Sequence, residues 1–114
     1  MEFDTYTVAL LIHNPDKPSL EEAEAAALQD LHMAHIADLA ERGHLVAAGP
    51  VLDDTYRGLS ILTVSPQEAL VLKSSDPAVR AGLYTLDVLP WRLPGGAMSF
   101  RPTRFPRSIA EALE

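Results

Sequence analysis

The sequence predicts an α+β fold in which four antiparallel strands make one sheet and two helices pack on a single face of it. Three observations carry that prediction. The elements read strand, helix, strand, strand, helix, strand within 114 residues, the size of one domain. Capping signals, Ser19 with Glu22 and Ser65-Pro66 with Glu68, start a helix between the first and second strands and another between the third and fourth. The strands hold apolar residues at consecutive positions, the pattern of a sheet covered on both faces. This order and length are those of the ferredoxin-like split βαβ arrangement, whose helices leave one sheet face bare. A bare aliphatic face is an interaction surface, so the sequence predicts a homodimer in which two sheets meet.

The first strand is expected over residues 6–12, where Tyr6 and Thr7 lead into the apolar run Val8-Ala9-Leu10-Leu11-Ile12. His13-Asn14-Pro15-Asp16 makes the turn that follows. The Ser19/Glu22 box starts a helix over residues 20–42. On it Leu28, Leu31, His35 and Leu39 recur at intervals of three and four, with His32 and Ile36 beside the same stripe, so both histidines face inward. Alanines at 23 and 25–27 favour helix and let a sheet approach closely. Gly43 suits the left-handed residue that ends a helix.

A second strand, residues 44–48, is closed by Gly49-Pro50, because proline cannot donate to a continuing ladder. Asp53 and Asp54 sit in the loop before a third strand at 57–64. Ser65 caps a helix over 66–73, and Asp76-Pro77 repeats the cap-then-proline pattern for a short turn ended by Gly82. The fourth strand spans 83–90. Beyond Trp91 the chain mixes Pro94, Gly95, Gly96, Pro102 and Pro106 with Arg92, Arg101, Arg104 and Arg107, which reads as an extended arm with a short helix at 108–113. The domain is therefore assigned to residues 1–91 and a C-terminal extension to 92–114.

Composition excludes several function classes. With 47% hydrophobic and 22% charged residues the chain is globular. A formal net charge of −7 argues against nucleic acid as a partner, since that affinity comes from clustered Lys and Arg. The chain has no cysteine, which rules out disulfides, thiolate nucleophiles and thiolate metal sites. The opening residues MEFDTY have neither a basic start nor an apolar core, so no signal or membrane span is expected and the cytoplasm is the expected compartment.

His32 is the foremost candidate for chemistry, because an imidazole with an ordinary pKa of ~6.5 exchanges protons near neutral pH. The alternative is a buried histidine satisfied by a backbone carbonyl. Asp76 is by itself a helix cap worth about 1 kcal/mol. His35, one helical turn from His32, either shares a substrate pocket with it or packs in the core. Arg57 opens the third strand and suits a substrate carboxylate, or a salt bridge to the acidic surface. His13 and His44 lie at strand ends and read as solvated, and Asp53-Asp54 as a turn. No metal is expected, since no ligand spacing such as H-E-x-x-H appears, and no tightly bound cofactor. There is no nucleophile elbow or glycine-rich phosphate loop, which removes the common hydrolase and nucleotide-binding readings.

Several residues together carry a resemblance. A helix with His32, then Gly43, a strand ending Ala48-Gly49-Pro50, Arg57-Gly58-Leu59, Ser75-Asp76-Pro77, Val79-Arg80-Ala81-Gly82-Leu83-Tyr84 and a closing Pro90-Trp91 resemble the YCII-related family. The resemblance runs from about Tyr6 to Trp91 and implies a dimeric α+β barrel with an active site built around a histidine and an aspartate, here His32 and Asp76. One branch of the family removes chloride from a chlorinated hydroxyhydroquinone. Gln29 stands where many members carry an arginine. Two functions of different classes follow as expectations. The first is a small-molecule enzyme, of lyase or dehydrochlorinase type, in which His32 and Asp76 perform acid-base elimination or isomerisation in a dimer pocket. The second is a non-catalytic dimeric module that binds a small ligand or a partner protein.

Overall fold

The computed structural model describes residues 1–114. Strand β1 (Phe3–His13) is followed by α1 (Glu22–Glu41), β2 (Leu45–Pro50), β3 (Tyr56–Leu62), α2 (Pro66–Ser74), α3 (Pro77–Arg80), β4 (Tyr84–Pro94) and α4 (Ile109–Ala112). The strands form one antiparallel sheet in the order β2-β3-β1-β4, with β1 and β3 central. This is the α+β, ferredoxin-like architecture that the element order predicts. No helix is long and apolar enough to cross a membrane.

Alternation along β1 sets the two faces. Thr7, Ala9 and Leu11 are buried under the helices, and Ala9 joins Leu39 of α1, Ala69 of α2, Leu45 and Leu62 in the core cluster. Burying each of these leucines stabilises the fold by about 1.5–3 kcal/mol. The buried Thr7 hydroxyl donates to the carbonyl of Val64 at 2.6 Å, so it adds no unsatisfied polar group to the core. On the opposite face Val8 lies beside Ile61 and Leu89, Leu10 beside Leu59, and Tyr6 beside Trp91.

Three expectations change. Helix α1 starts at Glu22 rather than near Leu20: Glu21 is the cap residue, and its N–H donates to the Glu24 carboxylate at 3.4 Å, so the box lies two residues beyond Ser19/Glu22. The alanines at 23 and 25–27 do not meet the sheet. Residues 22–27 are exposed, and Leu31, beside buried His32, is 53% exposed, so it stands off the buried stripe. Strand β4 passes Pro90 and ends at Pro94 rather than near residue 90. It is an edge strand, where proline's missing donor costs no ladder bond, and Arg92 stacks over the Phe3 ring at 4.3 Å.

The C-terminal segment carries the expected short helix as α4 and is packed against the domain. Phe100 packs edge-on against Tyr6, with ring centroids 5.5 Å apart, and Phe105 packs against the core cluster. Arg107 binds Asp38 and, at 2.9 Å, Glu41, while the Ile109 N–H donates to Asp30 at 2.8 Å. The Arg107 guanidinium beside Asp38 holds that carboxyl below the usual carboxylate range. Three acidic residues of α1 that would otherwise be a solvated face thus tie the segment down. The sequence alone could not pair Asp38 and Glu41 with one arginine some seventy positions away.

Candidate active site

Each pocket-facing side chain is delivered by a locally determined element. Helix α1 ends at Gly43, whose φ of 77° is the left-handed conformation glycine adopts freely. Its N–H bonds the Ala40 carbonyl, and that of His44 bonds the Leu39 carbonyl. This stop fixes the register of α1 and turns His32 toward the sheet, where it is only 7% exposed. Between α2 and α3, Ser75 and Asp76 form a junction, because Pro77 can start a helix but cannot continue one.

Both carboxylate oxygens of Asp76 are engaged. Oδ1 accepts the Ala78 N–H at 2.9 Å, and Oδ2 lies 2.5 Å from Nδ1 of His32. Asp76 is 0% exposed. Burial pushes its carboxyl up, but the hydrogen bond and charge of His32, the Ala78 N–H and nearby Lys73 together outweigh that and hold it below the ordinary carboxylate value. Asp76 is therefore an ionised acceptor for a hydrogen bond from an Nδ1–H of His32. In the tautomer that donates from Nδ1, the lone pair of the ring lies on Nε2, and His32 lines a cavity.

That cavity has a volume of about 320 Å³, at the small end of ligand-binding pockets. Leu11, Met33, Ile36, Ala48, Pro50 and Phe105 make apolar walls. The polar side chains that line it are Gln29, His32, Arg57 and Ser60. Arg57 is the only cationic side chain of the lining and takes part in none of the ion pairs of the chain. Phe105, Pro106 and Ala112 of the C-terminal segment close one side.

The candidate residues thus fall into two groups. His32 and Arg57 line the cavity, and Asp76 stands directly behind His32. His35 does not line it. Burial pushes the His35 imidazole down from its ordinary value, an effect that Asp76 partly offsets and Lys73 reinforces, and its Nε2 is buried without a hydrogen-bond partner. His13 is not simply solvated: its Nδ1 is buried without a partner, and its ring packs edge-on against Tyr84 at 5.6 Å. Asp53 accepts the N–H groups of Thr55 and Tyr56 at 2.9 and 3.0 Å, so it shapes the turn into β3. No three His, Asp or Glu side chains gather as metal ligands would.

Two polar residues escape a reading of the sequence. Ser60, 4% exposed, lines the cavity, and Lys73, 0% exposed, holds its Nζ 3.3 Å from Ser60 Oγ. A signal for Lys73 does exist, since it falls one turn beyond Ala69 on the buried stripe of α2. A lysine in the last turn of a helix, however, ordinarily reads as a solvated partner of the helix dipole.

The model of the YCII-related domain family matches residues 8–92. Among solved structures, the 5-chloro-2-hydroxyhydroquinone dehydrochlorinase from Burkholderia phenoliruptrix, in complex with 2,5-dihydroxybenzoquinone, is similar at a TM-score of 0.51 and 20% identity. The match covers 80% of this chain and 95% of that one, and at this identity it speaks for the fold. No curated protein matches the chain.

Proposed function

The chain belongs to the YCII-related domain family, and we propose that it is a small-molecule enzyme of the cytoplasm that moves protons on an acidic, ring-containing substrate, with His32 as general base and acid and Asp76 as the residue that orients it. The observation that carries this reading is the contact of 2.5 Å between His32 Nδ1 and Asp76 Oδ2 behind the wall of a cavity. Nε2 takes a proton from a substrate O–H or C–H. In an elimination the electron pair left behind moves into the ring and the leaving group departs with the pair of the bond that breaks; in an isomerisation His32⁺ returns the proton to another atom. Apolar walls suit a ring, and Arg57 suits an anionic oxygen through its forked donors. The ring ligand of the similar dehydrochlorinase agrees with that substrate class.

Binding tests the reading. Substituted hydroquinones and aromatic acids, screened by thermal shift, are expected to stabilise the wild type, and both Arg57→Ala and His32→Asn to weaken the hits by about tenfold or more. Asparagine retains an N–H for Asp76 and so protects the fold. Hits that bind all three proteins equally would place the ligand elsewhere. Tight binding in which the wild type releases no leaving group and moves no proton would favour the non-catalytic binding module.

In the same reading residues 92–114 are an extension that closes the cavity, and the protein is a homodimer through the open sheet face. The support is apolar exposure: Leu89 is 46% exposed, with Leu59 and Trp91 on the same face. Sedimentation equilibrium is expected to give twice the chain mass for the wild type and the single mass for Leu89→Glu. A monomeric wild type would refute the dimer and leave the cavity reading intact.

A further inference from the structure

We propose that Ser60 is a second functional group of the cavity, the hydrogen-bond donor that holds the substrate oxygen on which negative charge collects, and that Lys73 is the residue that positions its hydroxyl. The inference rests on the proton-transfer reading above and supplies what that reading leaves open. A base that removes a proton creates an anion, and a preorganised donor aimed at that anion is where most of the stabilisation of such a step is found.

The arrangement behind the cavity wall is paired. His32 lines the cavity and is backed by the buried carboxylate of Asp76; Ser60 lines the cavity and is backed by the buried amine of Lys73. The contact of 3.3 Å to Ser60 Oγ is the one hydrogen bond that Lys73 Nζ makes. Packing does not call for this amine, since a methionine of similar length would fill the space with no polar atom to satisfy. When a Lys73 N–H donates to Ser60 Oγ, it occupies a lone pair of the hydroxyl and leaves the hydroxyl proton for another acceptor. Linked donors polarise one another, so the Ser60 O–H becomes a stronger donor than an isolated serine.

Charge bookkeeping favours an anionic oxygen at this point. Burial pushes the Lys73 ammonium down from its ordinary value and the Asp76 charge pulls it partly back. Asp76 is shared with His32 and acts on His35 as well, so the charge compensation left for Lys73 is incomplete. A phenolate or enolate oxygen on Ser60 adds the missing negative charge, and protonated Lys73 stabilises it in return. The ligand class is thus a ring hydroxyl or carbonyl compound whose oxygen becomes anionic when a proton leaves.

The test uses 4-nitrocatechol, whose visible absorption separates phenol from phenolate, titrated into the wild type, Ser60→Ala, Ser60→Thr, Lys73→Met and His32→Asn. The wild type is expected to bind it as phenolate at a pH where the free probe is mixed. Ser60→Ala and Lys73→Met are each expected to weaken binding by about tenfold. Both should also return the bound spectrum toward that of the free probe, with melting curves confirming that they fold. Ser60→Thr, which keeps the hydroxyl, is expected to restore the phenolate signature. An unchanged spectrum and affinity in Ser60→Ala, or a loss confined to His32→Asn, overturns the Ser60 assignment and leaves the His32 reading standing. A wild type that binds no phenol overturns the reading of the cavity, and this inference with it.

Discussion

Asp76→Asn is expected to fold and yet to lower turnover of a substrate of the cavity by about 10²- to 10⁴-fold, the usual contribution of a positioned acid-base group. Asp76→Ala is expected to cost about 4 kcal/mol of stability, because it strands a buried imidazole without its partner and removes the α3 cap. The two variants separate two roles of one side chain. Asparagine keeps an oxygen for the Ala78 N–H, so the cap survives. It presents an amide N–H toward His32, however, which turns the Nδ1 lone pair inward and leaves the proton on Nε2. The base then faces the wrong way.

The pH dependence follows from the depressed carboxyl of Asp76. The unfolded chain takes up this proton near pH ~3.9 while the folded protein still resists it. The stability that Asp76 contributes is therefore fully present above that value and is lost as pH falls through the folded pKa. Urea denaturation between neutral pH and pH 3 should show a steeper loss in the wild type than in Asp76→Asn. Parallel curves would mean that the carboxylate gains nothing from its partners.

Lys73→Met is expected to change stability in the other direction, raising it by about 1–3 kcal/mol at pH 7, since it removes a buried amine that has one hydrogen bond for its three donors. Burial lowers the folded pKa of Lys73, whereas the unfolded chain keeps this proton up to about 10.4. Between those two values the unfolded state binds more protons, so the Lys73 contribution makes stability rise with pH there, and at lower pH the residue costs stability. The methionine variant loses that rise. Denaturation midpoints at pH 7 and pH 10 measure it. A variant less stable than the wild type at pH 7 would show that the amine is held by more favourable charge than the neighbouring Asp76 supplies. A residue that costs stability and is nonetheless buried against a cavity serine fits the positioning role proposed for it.

The local features were readable because they are set by neighbours in the chain. Consecutive aliphatics in Val8–Ile12, Ser65 with Pro66, Asp76 with Pro77 and the glycines at 43 and 82 mark strands, caps and stops through backbone chemistry that acts over a few residues. The element order then leaves few topologies, and the antiparallel four-stranded sheet, here in the order β2-β3-β1-β4, is of the expected ferredoxin-like kind. The misread boundaries have the same origin. Ser19/Glu22 and Glu21/Glu24 are equally good boxes by spacing, and a proline closes a strand only if the strand is central.

For the site, the residue types came from the sequence and the encounter came from the fold. His32 stood out by its place on α1, and the family resemblance pointed to Asp76, but nothing along the chain says that Nδ1 and Oδ2 lie within hydrogen-bonding distance. Nor does it say that His35, on the same stripe, misses the cavity, that Lys73 is sealed beneath Ser60, or that Arg107 folds the last segment over Asp38 and Glu41. Secondary structure depends on forces between residues a few positions apart, which a sequence displays. Which ionisable groups share a dry interior depends on how whole elements pack, and packing is decided by the shape of the entire core, which local pattern does not record.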